Sequence, residues 1–243
     1  MDSNQTTVDY STLAREVRKD VLSLIHKGQT SHVASCFSAT DIAVVLYENL
    51  KDGDEVIFSK GWASALYYVM EIRRGNLNRE EVFNTFPNEP YGALLEPPHQ
   101  PVPTGSVGHG LSVAVGIAYA KKLSGEPGRV YCLMSDGELN EGTFWEAKLL
   151  TDHLELKNLT AIIDANGWQA MGRTKDVIKI PSQGIEIDGH DYKQIEEAIR
   201  QPCIITAHTI KGKGVKMFED KILYHYKHVD KETYEEAIKE LNA

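Results

Sequence analysis

The sequence predicts an α/β protein: a doubly wound parallel sheet with helices on both faces. Two observations carry that prediction. Strand-like and helix-like segments alternate along the 243 residues. Several of the strand-like ones are short and continuously apolar, as strands buried on both faces must be. No linker divides the chain, so residues 1–243 read as one domain, long enough to bury a sizeable core.

The elements follow in order. In 11–28, Leu13, Val17, Val21, Leu24 and Ile25 recur near helical spacing, and Gly28 offers a stop. Residues 38–50 open with Ser38 and Asp41 in capping-box spacing before an apolar run. "EVIFS" (55–59) is a short buried strand running into Lys60-Gly61, and 62–75 is a helix closed by Gly75. Residues 86–104 hold most of the prolines and form a loop of the length that often carries function. "TGSVGHG" is a glycine-rich turn feeding a small-residue helix. Strands at 129–135, 159–165 and 203–209 are separated by a helix over 141–154 and by a Gly-His-Asp turn leading into a helix that ends near Arg200. The stretch 210–229 is an extended wrap. An amphipathic helix over about 230–242 closes the chain, with Asp230 as its cap.

The formal net charge is −9, which argues against a general nucleic-acid binder and gives no polybasic attraction to anionic lipid. The three cysteines, Cys36, Cys132 and Cys203, lack the spacing of a disulfide framework or a zinc site, so a reducing, cytoplasmic location is expected. The opening "MDSNQTTVDY" has no basic-then-apolar pattern, and no apolar run approaches a membrane span. No partnership with membrane or nucleic acid is expected.

Two strand ends concentrate the chemistry. Asp136-Gly137 follows "VYCLMS", and Asn166-Gly167 follows "LTAIIDA", thirty positions on. In parallel sheets, ligands bind beyond the C-terminal strand ends at a topological switch point. Adjacent strands lie about 4.8 Å apart, so a carboxylate and an amide oxygen from neighbouring ends can share one hard cation. Mg²⁺ takes about six oxygens, combining a few from protein with phosphate and water. The main-chain carbonyl of Trp168 can add a third protein ligand. Gly137 lets a phosphate approach the backbone closely. Asp-Gly and Asn-Gly are also ordinary turn dipeptides, and that reading stays open at this point.

These residues resemble the thiamine-diphosphate (ThDP) signature. "SHVASCFSATDIA", "SKGWASALY", "TGSVGHGLSVAVG", "SDGELNEGTFWEA", "IDGHDYKQIEEAI" and "HTIKGKGV" resemble transketolases, collinearly over about residues 10–240. The resemblance is to the N-terminal, diphosphate-binding domain, and it stops where a full-length transketolase would begin its pyrimidine-binding domain. It therefore implies the smaller subunit of a split transketolase. The second subunit would carry the pyrimidine-binding and C-terminal domains, in an α₂β₂ assembly, with sugar or sugar-phosphate substrates. The implied reaction moves a two-carbon ketol unit from a ketose donor to an aldose acceptor. The implied metal ligands are Asp136, Asn166 and the Trp168 carbonyl. The implied cofactor contacts are Ser35, Lys60, the position of Trp62, Gly105, Ser106, Val107, Gly137, Glu138, Asn166, Lys211 and His225. His32 and His225 would face the reacting carbons, and Glu141 would be a buried interface glutamate coupling two cofactors. The glutamate that activates the cofactor would come from the partner.

Departures cluster at the substrate channel. Trp62 stands where the family has a histidine, Val33-Ala34 where it has Pro-Gly, Ser135 where it has glycine, and Tyr226 where a glycine follows the second histidine. The Gly-His-Pro element of the long loop reads "PYGALLEPPHQPVP", leaving His99 as the nearest substitute. An altered donor or acceptor preference is the expectation. Two other readings are another ThDP-dependent C2 or acyl transferase, and a non-catalytic ThDP-binding regulatory partner.

Overall fold

The computed structural model describes residues 8–243. Part of the reading of the opening segment falls on residues 1–7 and lies outside the described residues. Ten helices, α1 (Tyr10–Gly28), α2 (Val33–Asn49), α3 (Ser64–Arg73), α4 (Arg79–Thr85), α5 (His109–Ser124), α6 (Gly142–His153), α7 (Thr174–Val177), α8 (Tyr192–Ile199), α9 (Leu223–Tyr226) and α10 (Lys231–Leu241), accompany seven strands among the described residues. The strands are β1 (Glu55–Phe58), β2 (Val130–Ser135), β3 (Leu159–Ala165), β4 (Trp168–Gln169), β5 (Gly172–Arg173), β6 (Ile185–Asp188) and β7 (Ile204–His208). The main sheet has the order β1-β2-β3-β7-β6, every pair parallel. β4 and β5 form a small antiparallel hairpin.

Alternate strand residues face opposite layers. Phe58, Tyr131, Leu133, Ile162 and Ile205 pack with α1, α2, α3, α8 and α10. Ile57, Cys132, Met134, Ala161 and Ile163 pack with α5 and α6. Helices thus cover both faces, which is why the strands are apolar throughout. The β2-to-β3 crossover uses α6 on one face, and the β6-to-β7 crossover uses α8 on the other. The winding therefore reverses between β3 and β7, and a crevice opens at their C-terminal ends.

The layers approach closely where glycine allows it. A Cβ on Gly110 would collide with that of Ser59, so the start of α5 lies directly on the end of β1. Residues 210–229 run as turns and the single turn α9, with Phe218 buried against Phe37 and Tyr224. α10 begins at Asp230, whose side chain accepts from the Thr233 N–H at 2.9 Å. Cys36 and Cys132 are buried free thiols, and Cys203 is half-buried. Among the described residues no helix is long and apolar enough to cross a membrane.

Several local readings change. α1 runs through Gly28, and the left-handed residue that ends it is Gln29, at φ 48°. Ser38 and Asp41 do not cap a helix: α2 begins at Val33, and both lie buried inside it. Each takes its partner from another element. Ser38 donates to Asp164 at 2.6 Å, and Asp41 receives the Arg18 guanidinium at 3.0 and 2.8 Å and the His190 Nδ1 at 2.7 Å. α4, the β4–β5 hairpin and edge strand β6 had no expectation. β6 is largely exposed, so it lacks an apolar run.

The Arg18–Asp41–His190 group ties α1, α2 and the β6–α8 turn together. Burial opposes the Asp41 charge, but hydrogen bonds from His190 and Arg18 outweigh it and bring the pKa down to about 2. A folded pKa below the ordinary 3.8 means stability that is present above pH 3.8 and lost as pH falls toward 2. Asp41→Asn should cost about 3–5 kcal/mol at pH 7 in urea unfolding, because Arg18 is left buried without its counter-charge. It should also flatten the stability curve between about pH 4 and 2. A wild-type-like unfolding midpoint would show that the pair is dispensable.

Candidate active site

The crevice is a cleft of about 380 Å³. It gathers side chains from chain segments far apart in sequence. His32 and Ser35 come from the start of α2, Lys60 and Trp62 from beyond β1, and Gly105 and Val107 from the turn before α5. Ser135 and Gly137 come from the end of β2, Asn166 and Trp168 from beyond β3, and Lys211, His225 and Tyr226 from the segment after β7.

Beneath it lies a fully buried ion pair. Lys60 Nζ meets Asp164 Oδ2 at 2.5 Å, with both side chains at 0% exposure. Lys60 also donates to the Ser35 carbonyl at 3.0 Å. Asp164 accepts further from Ser38, from Thr209 and from the Asn166 Nδ2 at 3.2 Å. Burial opposes its charge, but Lys60 and these hydrogen bonds outweigh that and hold its pKa below the usual value. Lys60 thus neutralises a carboxylate that the sequence reading missed. The available signal was an aspartate closing an otherwise apolar strand, two positions before Asn166.

The Asn166 amide nitrogen is committed to Asp164 and Ser38, which turns its oxygen the other way, where it accepts from the Trp168 N–H at 3.1 Å. Gly167, at φ +77°, bends the chain back over Asp136. Asp136 Oδ2 accepts from the Gly167 N–H and the Thr174 hydroxyl, each at 2.9 Å. Its Oδ1 is buried with no hydrogen-bond partner. Burial pushes its pKa up to about 6. A buried, half-satisfied carboxylate is costly unless something completes it. A cation bound by Oδ1 would do so. Asp136 borders an adjoining cleft with Arg173 and Thr174, while its neighbours Ser135 and Gly137 line the main one. Among the described residues no three His, Cys, Asp or Glu side chains converge on one point. A cation here would therefore rely on one carboxylate, an amide, a carbonyl and oxygens from a ligand.

On the far wall, Lys211 Nζ lies 2.8 Å from His225 Nδ1, and the His32 and His225 rings are 5.0 Å apart. Lys211 is 1% exposed and has no carboxylate partner among the described residues. Burial, then Lys60, brings its pKa down to about 8. Burial and the two lysines bring His32 down to about 4, and burial, the lysines and His32 bring His225 down to about 3. Both imidazoles are neutral at pH 7. Lys211 donates to His225 Nδ1, so the ring carries its proton on Nε2. Buried positive charge without a matching carboxylate suits an anion such as a diphosphate.

Other expected residues sit differently. Glu138 is fully buried and turned inward: it accepts from the Ser135 N–H at 2.8 Å, the Gly108 N–H at 3.2 Å and the Ser59 hydroxyl. It braces three loops of the site, and only its backbone neighbour Gly137 lines the cleft. Ser106 is exposed beside the lining residues Gly105 and Val107. Glu141 lines the cleft and is exposed in the single chain, as a residue awaiting an interface would be. His99 is not among the residues that line the cleft. Its ring stacks on Tyr91 at 5.0 Å and meets Tyr68 edge-on. Trp62 and Tyr226 both line the cleft. Gln169 and Met171 line it too and were not anticipated.

A family model described as 1-deoxy-D-xylulose-5-phosphate synthase matches residues 3–174. The chain is 30% identical to one of the subunits of the apulose-4-phosphate transketolase of Phocaeicola vulgatus, over 93% of this chain and 91% of that one. It is 29% identical to the corresponding subunit from Actinobacillus succinogenes, over 94% of each. It is 32% identical to human transketolase, covering 87% of this chain but only 38% of that protein. The crystal structure of transketolase from Campylobacter jejuni superposes with a TM-score of 0.87 over 98% of this chain and 43% of that one, at 24% identity, which shows the fold.

The two strand-end carboxylates should respond oppositely to neutralisation. Asp164→Asn leaves Lys60 buried and unpaired and should lower the unfolding free energy by about 3–5 kcal/mol. Asp136→Asn removes a charge the fold does not satisfy, so the ligand-free chain should stay within about 1 kcal/mol of wild type or rise above it. Equal losses in chemical denaturation would contradict the division of roles.

Proposed function

Because the chain belongs to the family of transketolases and 1-deoxy-D-xylulose-5-phosphate synthases, we propose that it is the diphosphate-binding subunit of a split, ThDP-dependent transketolase. The observation that supports this best is the unsatisfied Asp136 Oδ1 at the end of β2, next to the strand end that carries Asn166. Mg²⁺ is the cation we assign to Asp136, Asn166 and the Trp168 carbonyl, and Lys211 is the diphosphate's charge partner. The reaction is transfer of a two-carbon ketol unit from a ketose, or ketose phosphate, to an aldose.

Bound ThDP supplies the electron-sink chemistry that breaks and forms the carbon–carbon bond. The chain's residues bind, orient and move protons. Lys211 and the backbone at Gly137 hold the diphosphate. The pinned Asn166 amide and Asp136 would hold the cation. The neutral imidazoles of His32 and His225 serve the substrate hydroxyls as proton donors and acceptors near pH 7. Trp62 and Tyr226 add aromatic bulk to the channel, and with them an altered donor or acceptor preference. The second subunit supplies the pyrimidine-binding and C-terminal domains, the assembly is α₂β₂ with Glu141 at an interface, and the enzyme is cytoplasmic.

Co-purified with its partner, the chain should gain about 2.7 kcal/mol of stability at ligand concentrations 100 times the Kd. That gain should need ThDP and Mg²⁺ together and vanish in Asp136→Ala. No thermal shift in an intact assembly would sink the reading. The chain alone should be inactive, and normal turnover without a partner would refute the split-enzyme arrangement. Trp62→His should shift the ranking of donors and acceptors; an unchanged ranking would clear Trp62 of any part in specificity.

A further inference from the structure

We propose that Arg173 and Asp220 are positioning residues for the cofactor, clamping the Trp168 turn to the Lys211 segment so that the two sides of the diphosphate site keep their separation. The inference rests on the ThDP reading above. The parallel ladder between β3 and β7 ends at the pair Ala165 and His208. Trp168 and Lys211 each lie three residues beyond that pair, where no hydrogen bond of the main sheet joins them, and Trp168 pairs only with Arg173 in the β4–β5 hairpin. A closed unit of three side chains joins them instead. Arg173 Nη1 and Nη2 donate to Asp220 Oδ1 and Oδ2, each at 2.6 Å. The same guanidinium lies over the Trp168 ring at 3.9 Å, and the indole N–H donates to Asp220 Oδ1 at 2.8 Å. The Asp220 backbone N–H then donates to the Lys211 carbonyl at 2.8 Å.

An isolated surface ion pair adds little to stability, because solvent screens it and both side chains lose freedom. Arg173 and Asp220 are 36% and 56% exposed, so charge alone is not the reason for this arrangement. The geometry is: a two-pronged fork stacked on an aromatic face is the arrangement in which arginine holds direction as well as charge. Asp220 also sits at φ 55°, a left-handed backbone that Asp and Asn tolerate better than other side chains. The clamp therefore fixes the angle between two loops, one ending in a proposed cation ligand and the other in the proposed anion partner. Loosening it leaves every direct contact to the cofactor in place while widening the range of separations they sample.

The test uses the assembled enzyme loaded with Mg²⁺ and ThDP, and follows cofactor release after dilution into excess chelator. Asp220→Asn keeps the shape and the left-handed backbone and removes the charge. Arg173→Lys keeps the charge and removes the fork and the stacking. Each should release cofactor about tenfold faster, and the double variant no faster than the worse single one, as expected for residues acting as one unit. Turnover at saturating cofactor should stay within about twofold of wild type, since no group that touches substrate has changed. Release at the wild-type rate from both variants overturns the inference, whatever their melting temperatures. A wild-type assembly that retains no cofactor overturns the ThDP reading and the inference with it.

Discussion

The site depends on one interaction, the dry ion pair between Lys60 and Asp164. Burying two charges is expensive, and the cost is offset only when geometry is tight and every remaining lone pair and proton finds a partner. Here the partners are found, and they come from several elements: the Ser35 carbonyl and Ser38 hydroxyl from α2, Thr209 from beyond β7, the Asn166 amide from beyond β3. The carboxylate at the end of β3 is the point to which these elements are tied. It also decides which way Asn166 presents its oxygen, so the donor set above is set from below.

The electrostatics divide accordingly. Asp164 is fully compensated, whereas Asp136, on the neighbouring strand end, has one oxygen bonded and one without a partner. Lys60 is committed to Asp164, whereas Lys211 faces a neutral histidine. One satisfied pair forms the floor; above it stand a carboxylate with one oxygen unpartnered and an ammonium that donates to a histidine but has no counter-charge among the described residues. A folded chain tolerates such groups where a ligand completes them. A metal with a diphosphate would complete both at once.

Much of the fold was legible because parallel strands buried on both faces announce themselves as apolar runs; β2, β3 and β7 are examples. β6 was invisible for the converse reason, being an exposed edge with no apolar run. The misreading of Ser38 and Asp41 has a single cause: capping chemistry and tertiary hydrogen bonding use the same residue types, and only the position of the partner tells them apart. At the site, Asp136, Asn166, Lys211 and the two histidines were legible through spacing and resemblance, and all but Asp136 line one cleft. Asp164 was not, because an acidic residue at a strand end looks like a turn until Lys60 is seen beside it. His99 was named only as the nearest substitute for a loop histidine, and its packing against Tyr68 and Tyr91 could not be read from the loop's sequence.

The buried ion pair has a consequence for how the chain folds. Lys60 and Asp164 are 104 positions apart, and Ser38 and Asp164 are 126. Contacts of such separation must overcome loop-closure entropy before they contribute, so they form late and slow the search. Asp164 has Thr209 as a partner only when β7 is docked on β3. Until then the strand end holds a desolvating carboxylate with an incomplete shell, which favours reopening over premature closure. Lys211 and His225 follow β7 in the chain and line the cleft, so the cleft is complete only in a chain whose β7 is docked on β3.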